Sequence, residues 1–192
     1  MQKQFKFIKM LIALICTLCI QVSALNASTK SVSIGGDFEL TSHFGESFTL
    51  QNIEGKVGVL FFGFTHCPDV CPNTLLEIQR LLVNLKEQAS QVSVLFVSVD
   101  PKRDTPEILE TYVKYFNQNI IGLTGSSEAI DKVLTQYNST VSFTGDTESN
   151  HYNVEHTANI FLIDKQGQLA SIILPRTPFS VFEQQVRKLL DQ

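Results

Sequence analysis

Two unbroken apolar runs of strand length, VGVLFFGF (Val57 to Phe64) and VSVLFVSV (Val92 to Val99), alternate with segments whose apolar positions recur at helical spacing. A continuous run of that kind suits a strand buried on both faces, as in a parallel sheet covered by helices. After the first run, PNTLLEIQRLLVNLKEQ sets Leu75, Leu76, Ile78, Leu81, Leu82 and Leu85 in one stripe. This predicts a helix beginning beside Cys71, with Pro72 in the first turn, where a missing N–H costs little. After the second, RDTPEILETYVKYF predicts a helix with Thr105 as N-cap, Pro106 at the first position and Glu107 in the first turn. Strand, helix, strand, helix implies right-handed crossovers and parallel pairing.

The flanking segments read as hairpins and shorter elements. DFELT and SFTLQ enclose a turn from Ser42 to Glu46 that contains Gly45, and NIEGK turns the chain into the first buried run. IIGL is a short strand, and SSEAIDKVLTQY a third helix. NSTVSFTGDTESNHYNVEH is polar and poorly periodic, an excursion with at most a short hairpin. ANIFLID, the turn KQGQ and LASIILP form another hairpin, and a last helix runs from about Pro178 to Leu190. The expected fold class is α/β: a central mixed β-sheet flanked by helices, with an N-terminal β-hairpin. This order of elements resembles the thioredoxin-like sandwich.

The N-terminus differs from the body. Lys3, Lys6 and Lys9 precede the apolar MLIALICTLCI, and Val22-Ser23-Ala24 supplies small residues for a signal peptidase. Residues 1–24 are therefore read as a signal peptide, with an uncleaved anchor as the alternative; a bilayer span takes about twenty apolar residues and this run ends sooner. Residues 25–36 form a polar lead and 37–192 one domain, exported to the periplasm or held on the outer face of the cytoplasmic membrane. Cys16 and Cys19 leave with the signal, and neither follows the small residue that lipid attachment requires. With a formal charge of -4 on 192 residues, the chain lacks the basic excess of a nucleic-acid binder.

The exported body keeps two cysteines, Cys67 and Cys71, in FFGFTHCPDVCPNTL where the first buried strand gives way to its helix. In an open α/β sheet that edge is where ligands bind. Cross-linking so short a loop stabilises little, because disulfide stabilisation grows with the loop closed, so the pair points to chemistry. The positive end of a helix favours thiolate at both positions. Two thiolates one turn apart serve a redox couple, a peroxide-reacting thiol or a soft metal chelate, and spacing leaves these open. Of four histidines, His43 reads as a solvated turn residue and His151 as solvated in the excursion. His66 adjoins Cys67 too closely to reach the same metal. His156 precedes ANIFLID; if that strand runs antiparallel to Val57–Phe64, His156 returns to the cysteine loop.

Taken together, FFGFTHCPDVCPNTL, VSVDPKRDTPEILETYVKYF and VEHTANIFLIDKQGQL resemble, in order and spacing, the SCO/SenC family of copper-binding assembly factors for cytochrome c oxidase. The resemblance implies copper ligands at Cys67, Cys71 and His156, and a redox-active disulfide between Cys67 and Cys71. It implies Cu(I), with Cu(II) as a second state, delivered by a metallochaperone to the dinuclear copper site. The partners are then the copper-accepting subunit near the membrane and a thiol-reducing protein. Two soft thiolates and one imidazole suit three-coordinate Cu(I), whereas structural zinc normally takes a fourth ligand. His66, Asp100 and Asp104 are candidates for groups surrounding the ligands. The competing reading is a thiol-disulfide oxidoreductase; such thioredoxin-like enzymes generally carry a proline where this chain has His156-Thr157. A thiol peroxidase rests only on Cys71-Pro72 following Thr65.

Overall fold

The computed structural model describes residues 34–149 and 151–192. The expected signal of residues 1–24, with Cys16 and Cys19, and most of the polar lead lie outside them. The elements are β1 (Leu40–Ser42), β2 (Ser47–Phe48), β3 (Val57–Gly63), α1 (Val70–Leu85), β4 (Val92–Ser98), α2 (Pro106–Phe116), β5 (Ile120–Thr124), α3 (Ser127–Gln136), β6 (Val141–Asp146), β7 (His151–His156), β8 (Ile160–Ile163), β9 (Leu169–Ile173) and α4 (Phe179–Leu190). Among the described residues no helix is long and apolar enough to cross a membrane.

The two apolar runs become β3 and β4, parallel neighbours from Val57 opposite Val92 to Gly63 opposite Ser98, with every residue buried. They occupy the middle of a seven-stranded sheet of order β2-β1-β5-β4-β3-β8-β9. Strand β5 continues the parallel set beyond β4, while β1 joins β5 and β8 joins β3 in antiparallel sense. The sheet is thus mixed, with a hairpin on each flank, as the residue pattern predicts.

The helices carry the expected signals. Thr105 caps α2, its hydroxyl accepting from the Ile108 N–H with Pro106 next in line, and Ser126 caps α3 by accepting from Ala129. Helix α1 buries Leu75, Ile78, Leu81, Leu82 and Leu85, each worth about 1.5–3 kcal/mol when fully removed from water. Leu76 departs from the expected stripe and is exposed, since adjacent helical positions point about 100° apart.

The polar excursion departs further. It forms two six-residue strands, β6 and β7, paired antiparallel along their whole length as a separate sheet. Backbone hydrogen bonds stabilise this hairpin, so its strands need little apolar content and leave a weak trace in the sequence. Within β7, Tyr152 is buried and Val154 and His156 are half-buried, while His151, Asn153 and Glu155 between them are exposed. The inward face therefore has the period of a strand.

His43 also departs from its expected solvated position. It is buried, and its Nδ1 accepts from the Gly122 N–H at 2.9 Å, tying the first hairpin to β5. Burial pulls the imidazole below its ordinary 6.5, and protonation at Nδ1 would also break the Gly122 bond. The unfolded chain therefore takes up the proton first as pH falls through 6.5, and stability is lost from there down to the lower folded value. His156 is held low by burial with the same sign. Denaturant midpoints of the copper-free protein should therefore fall between pH 7.5 and pH 5, and His43→Gln should flatten this dependence without abolishing it. An identical slope in the variant would remove His43 from the account.

Candidate metal centre

Strand β3 ends at Gly63 and the chain turns through a loop into α1, whose first turn contains Cys71. The Cys71 side chain is fully buried against the core, whereas Cys67 is only partly covered and both are free thiols. Gly63 makes the room: a Cβ there would lie 2.6 Å from Phe96 Cε2 and 3.0 Å from Cys71 Sγ. The absence of a side chain lets the sulfur and the ring both close on the strand.

The histidine arrives from the other direction. Because β8 runs antiparallel to β3, with Ile160 opposite Phe61, the chain enters β8 at the edge where β3 ends. His156, the last residue of β7, lies just before that point and returns to the cysteine loop, as the topology argument expected. Thr157 fastens this junction: its N–H donates to the Thr140 carbonyl at 3.0 Å, and its hydroxyl accepts from the Thr140 N–H at 3.0 Å.

His156 Nε2 is 3.6 Å from Cys71 Sγ, and the donor atoms of Cys67, Cys71 and His156 all lie within 4.8 Å of one another. They are the one such group of three metal-capable side chains among the described residues. Metal–sulfur and metal–nitrogen bonds of about 2.0–2.3 Å, arranged trigonally, separate donors by about 3.6–4.0 Å, so slight contraction around an ion would complete the set. The imidazole is already oriented for this. Its Nδ1 lies 3.0 Å from the Thr157 carbonyl, which can only accept, so Nδ1 carries the proton and Nε2 offers a lone pair. Phe61 and Phe64 pack edge-on against the ring at centroid distances of 6.2 and 5.8 Å.

The expectation of an easily ionised pair fails at Cys71. Burial pushes its thiol well above the ordinary thiol range, with the neighbouring Cys67 adding to the effect. Desolvation here outweighs the favourable end of α1. The ionised sulfur that a peroxide-reacting Cys71 would use is disfavoured by the same burial.

The two aspartates noted beside the site are buried and bonded to the elements around it. Asp104 accepts from the Thr65 N–H at 2.9 Å, from the Thr65 hydroxyl at 2.6 Å and from Ser98 at 2.6 Å, so it holds the cysteine loop against the end of β4. Burial raises its carboxyl above the ordinary range, opposed by these hydrogen bonds. Asp100 accepts the Tyr152 hydroxyl at 2.6 Å and the Arg103 Nε–H at 2.5 Å. Burial, then the Asp100 hydrogen bond, push the Tyr152 hydroxyl up to about 12, so it stays a donor.

His66 is more than half exposed and leans toward Thr65 and Asp104, 3.1 Å from the Thr65 hydroxyl, outside the three-donor group. His151 is exposed at the start of β7, as expected. Tyr152 and the bonds that Arg103 and Thr65 make to the two aspartates escaped the sequence reading; the alternation of Tyr152, Val154 and His156 is a signal that could have pointed to Tyr152.

A thioredoxin-like sheet that places two thiols and an imidazole at the carboxyl edge of its parallel strands defines a dithiol-and-histidine protein of the copper or redox class. Residues 26–191 match the SCO1/SenC family model, and the chain belongs to that family. It is 34% identical over 161 residues to a SCO2-like protein of Rickettsia felis, covering 83% of this chain and 78% of that one. It is 38% identical over 137 residues to the human mitochondrial SCO1 homolog, covering 70% of this chain and 46% of that protein, and so spans about half that relative's length. The copper-bound crystal structure of Arabidopsis thaliana ScoI matches with a TM-score of 0.76 at 35% identity, over 83% of this chain and 99% of that one.

The space at Gly63 makes a testable point. Gly63→Ala should cost about 1–3 kcal/mol in denaturant unfolding of the reduced protein, the usual range for overpacking, and should speed alkylation of Cys71 by displacing its sulfur. An unchanged midpoint together with an unchanged alkylation rate would show that the strand yields without cost.

Proposed function

We propose that Cys67, Cys71 and His156 bind copper as cargo and that the protein delivers it to the dinuclear copper site of cytochrome c oxidase during assembly. The observation that carries this is the convergence of two sulfurs and a pre-oriented Nε2 within 4.8 Å on a chain of the SCO1/SenC family. The copper reported for the Arabidopsis relative, bound on a matching fold, supports it further. Soft thiolates favour Cu(I), with the imidazole able to stabilise Cu(II). The recipient is the copper-accepting subunit, near the membrane. Residues 1–24 are the export signal and residues 37–192 the working domain, placed in the periplasm or on the outer face of the cytoplasmic membrane.

A Cys67–Cys71 disulfide would remove both sulfur donors at once, so loading requires the dithiol and a reducing partner restores it. The unequal exposure of the sulfurs also supports thiol–disulfide exchange as a second reading, with accessible Cys67 attacking and buried Cys71 resolving.

Titration of the reduced protein with Cu(I) against a competing chelator separates these readings. His156→Ala should lower affinity by more than about tenfold, because even residues that merely support ligands are worth that much, and Cys67→Ala should abolish stoichiometric binding. Equal affinity in wild type and His156→Ala would sink the three-donor centre. Rapid catalytic reduction of insulin without copper would favour the exchange reading.

A further inference from the structure

The hairpin that ends in His156 has no strand pairing to the main sheet. Most of its side chains are exposed, β6 almost entirely. Tyr152 is its one buried side chain among the described residues, and three contacts from a single loop grip it. Asp100 accepts its hydroxyl at 2.6 Å; the Arg103 guanidinium lies over its ring at 3.8 Å; and Arg103 Nη1 donates to its backbone carbonyl at 3.3 Å. Arg103 is itself fixed by the Asp100 carboxylate and is 8% exposed. A fourth tie, from Lys102 to the Thr147 carbonyl, reaches the tip of the hairpin.

This loop is also the one whose Asp104 fastens Thr65 in the cysteine loop. The sulfurs and the imidazole therefore come from segments that are separate in sequence but keyed to the same few residues. Tyr152 and His156 share the inward face of β7, so a shift at Tyr152 is carried along a short stiff strand to the ring.

We infer that Arg103 and Tyr152 are positioning residues that clamp the β6–β7 hairpin and hold His156 Nε2 within bonding reach of the two sulfurs. This rests on the copper reading above and adds residues that do not touch the metal. Without the clamp, the hairpin retains its own ladder but not its seat, and the centre reverts toward a two-sulfur site.

The test is a double-mutant cycle on the full chain, with Cu(I) affinity and amide hydrogen exchange of the reduced, copper-free protein as readouts. Tyr152→Phe removes only the hydroxyl, and Arg103→Lys keeps the charge but loses the planar stack and the fork. Each should weaken Cu(I) binding by about tenfold, as for other supporting groups of metal sites. Each should also speed exchange of the β6 and β7 amides while leaving those of β3 and β4 unchanged. In a His156→Ala background, neither should weaken binding further, because the residue through which they act is gone.

Wild-type affinity in both single variants, where His156→Ala has lost affinity, overturns the clamp and leaves the copper reading intact. An equal loss with and without His156 also overturns it, because the effect would then run through the cysteines or through overall stability. If His156→Ala itself binds as wild type does, the three-donor reading falls and the clamp falls with it.

Discussion

The candidate centre depends on a pair of buried carboxylates in one loop. Asp100 and Asp104 leave the end of β4 together, each nearly or wholly removed from solvent, and each reaches a different part of the molecule. Asp104 holds the cysteine loop through Thr65, and Asp100 holds the histidine hairpin through Tyr152 and Arg103. Buried carboxylates are costly unless hydrogen-bonded or paired, and here the partners come both from the loop and the strand end before it, Arg103 and Ser98, and from the two neighbouring segments, Tyr152 and Thr65. The two acids thus tie the cysteine loop and the histidine hairpin to one place.

The setting of the donors has a second consequence. Cys71 and the imidazole sit where burial opposes charge, and both respond in the direction of the neutral form. With both groups held neutral, a soft cation bound there would displace the Cys71 proton as it takes the sulfur, while the neutral imidazole would bind without losing one. Of the two sulfurs, Cys67 is partly exposed and Cys71 is buried. Gly63 completes this arrangement from below by letting the sulfur of Cys71 lie against the strand.

Much of this was legible in the sequence because it depends on local rules. Continuous apolar runs marked β3 and β4; Thr105-Pro106 and the periodic leucines marked the helix boundaries and buried faces. The position of the cysteine pair marked a candidate site at the carboxyl edge of the sheet, and the hairpin logic of ANIFLID brought His156 back to it. The departures have separate origins. Leu76 points away from the buried stripe by its angle around the helix, the β6–β7 hairpin is held by a backbone ladder that needs little apolar content, and His43 is buried by segments distant in the chain.

The sequence by itself determined the order of elements, the parallel core, the place of the cysteine pair and the family, each read from neighbouring residues or from motifs in register. Tertiary structure alone decided that Cys71 is buried and resists ionisation, that His156 is presented Nε2 first, and that Arg103 and Tyr152 join the surroundings of the site. The physical reason is that desolvation and hydrogen-bond partnership act between groups brought together from distant parts of the chain, as Asp100 and Tyr152 are. In FFGFTHCPDVCPNTL two thiols were visible; their unequal burial was set by the core that closes on Cys71 and leaves Cys67 partly exposed.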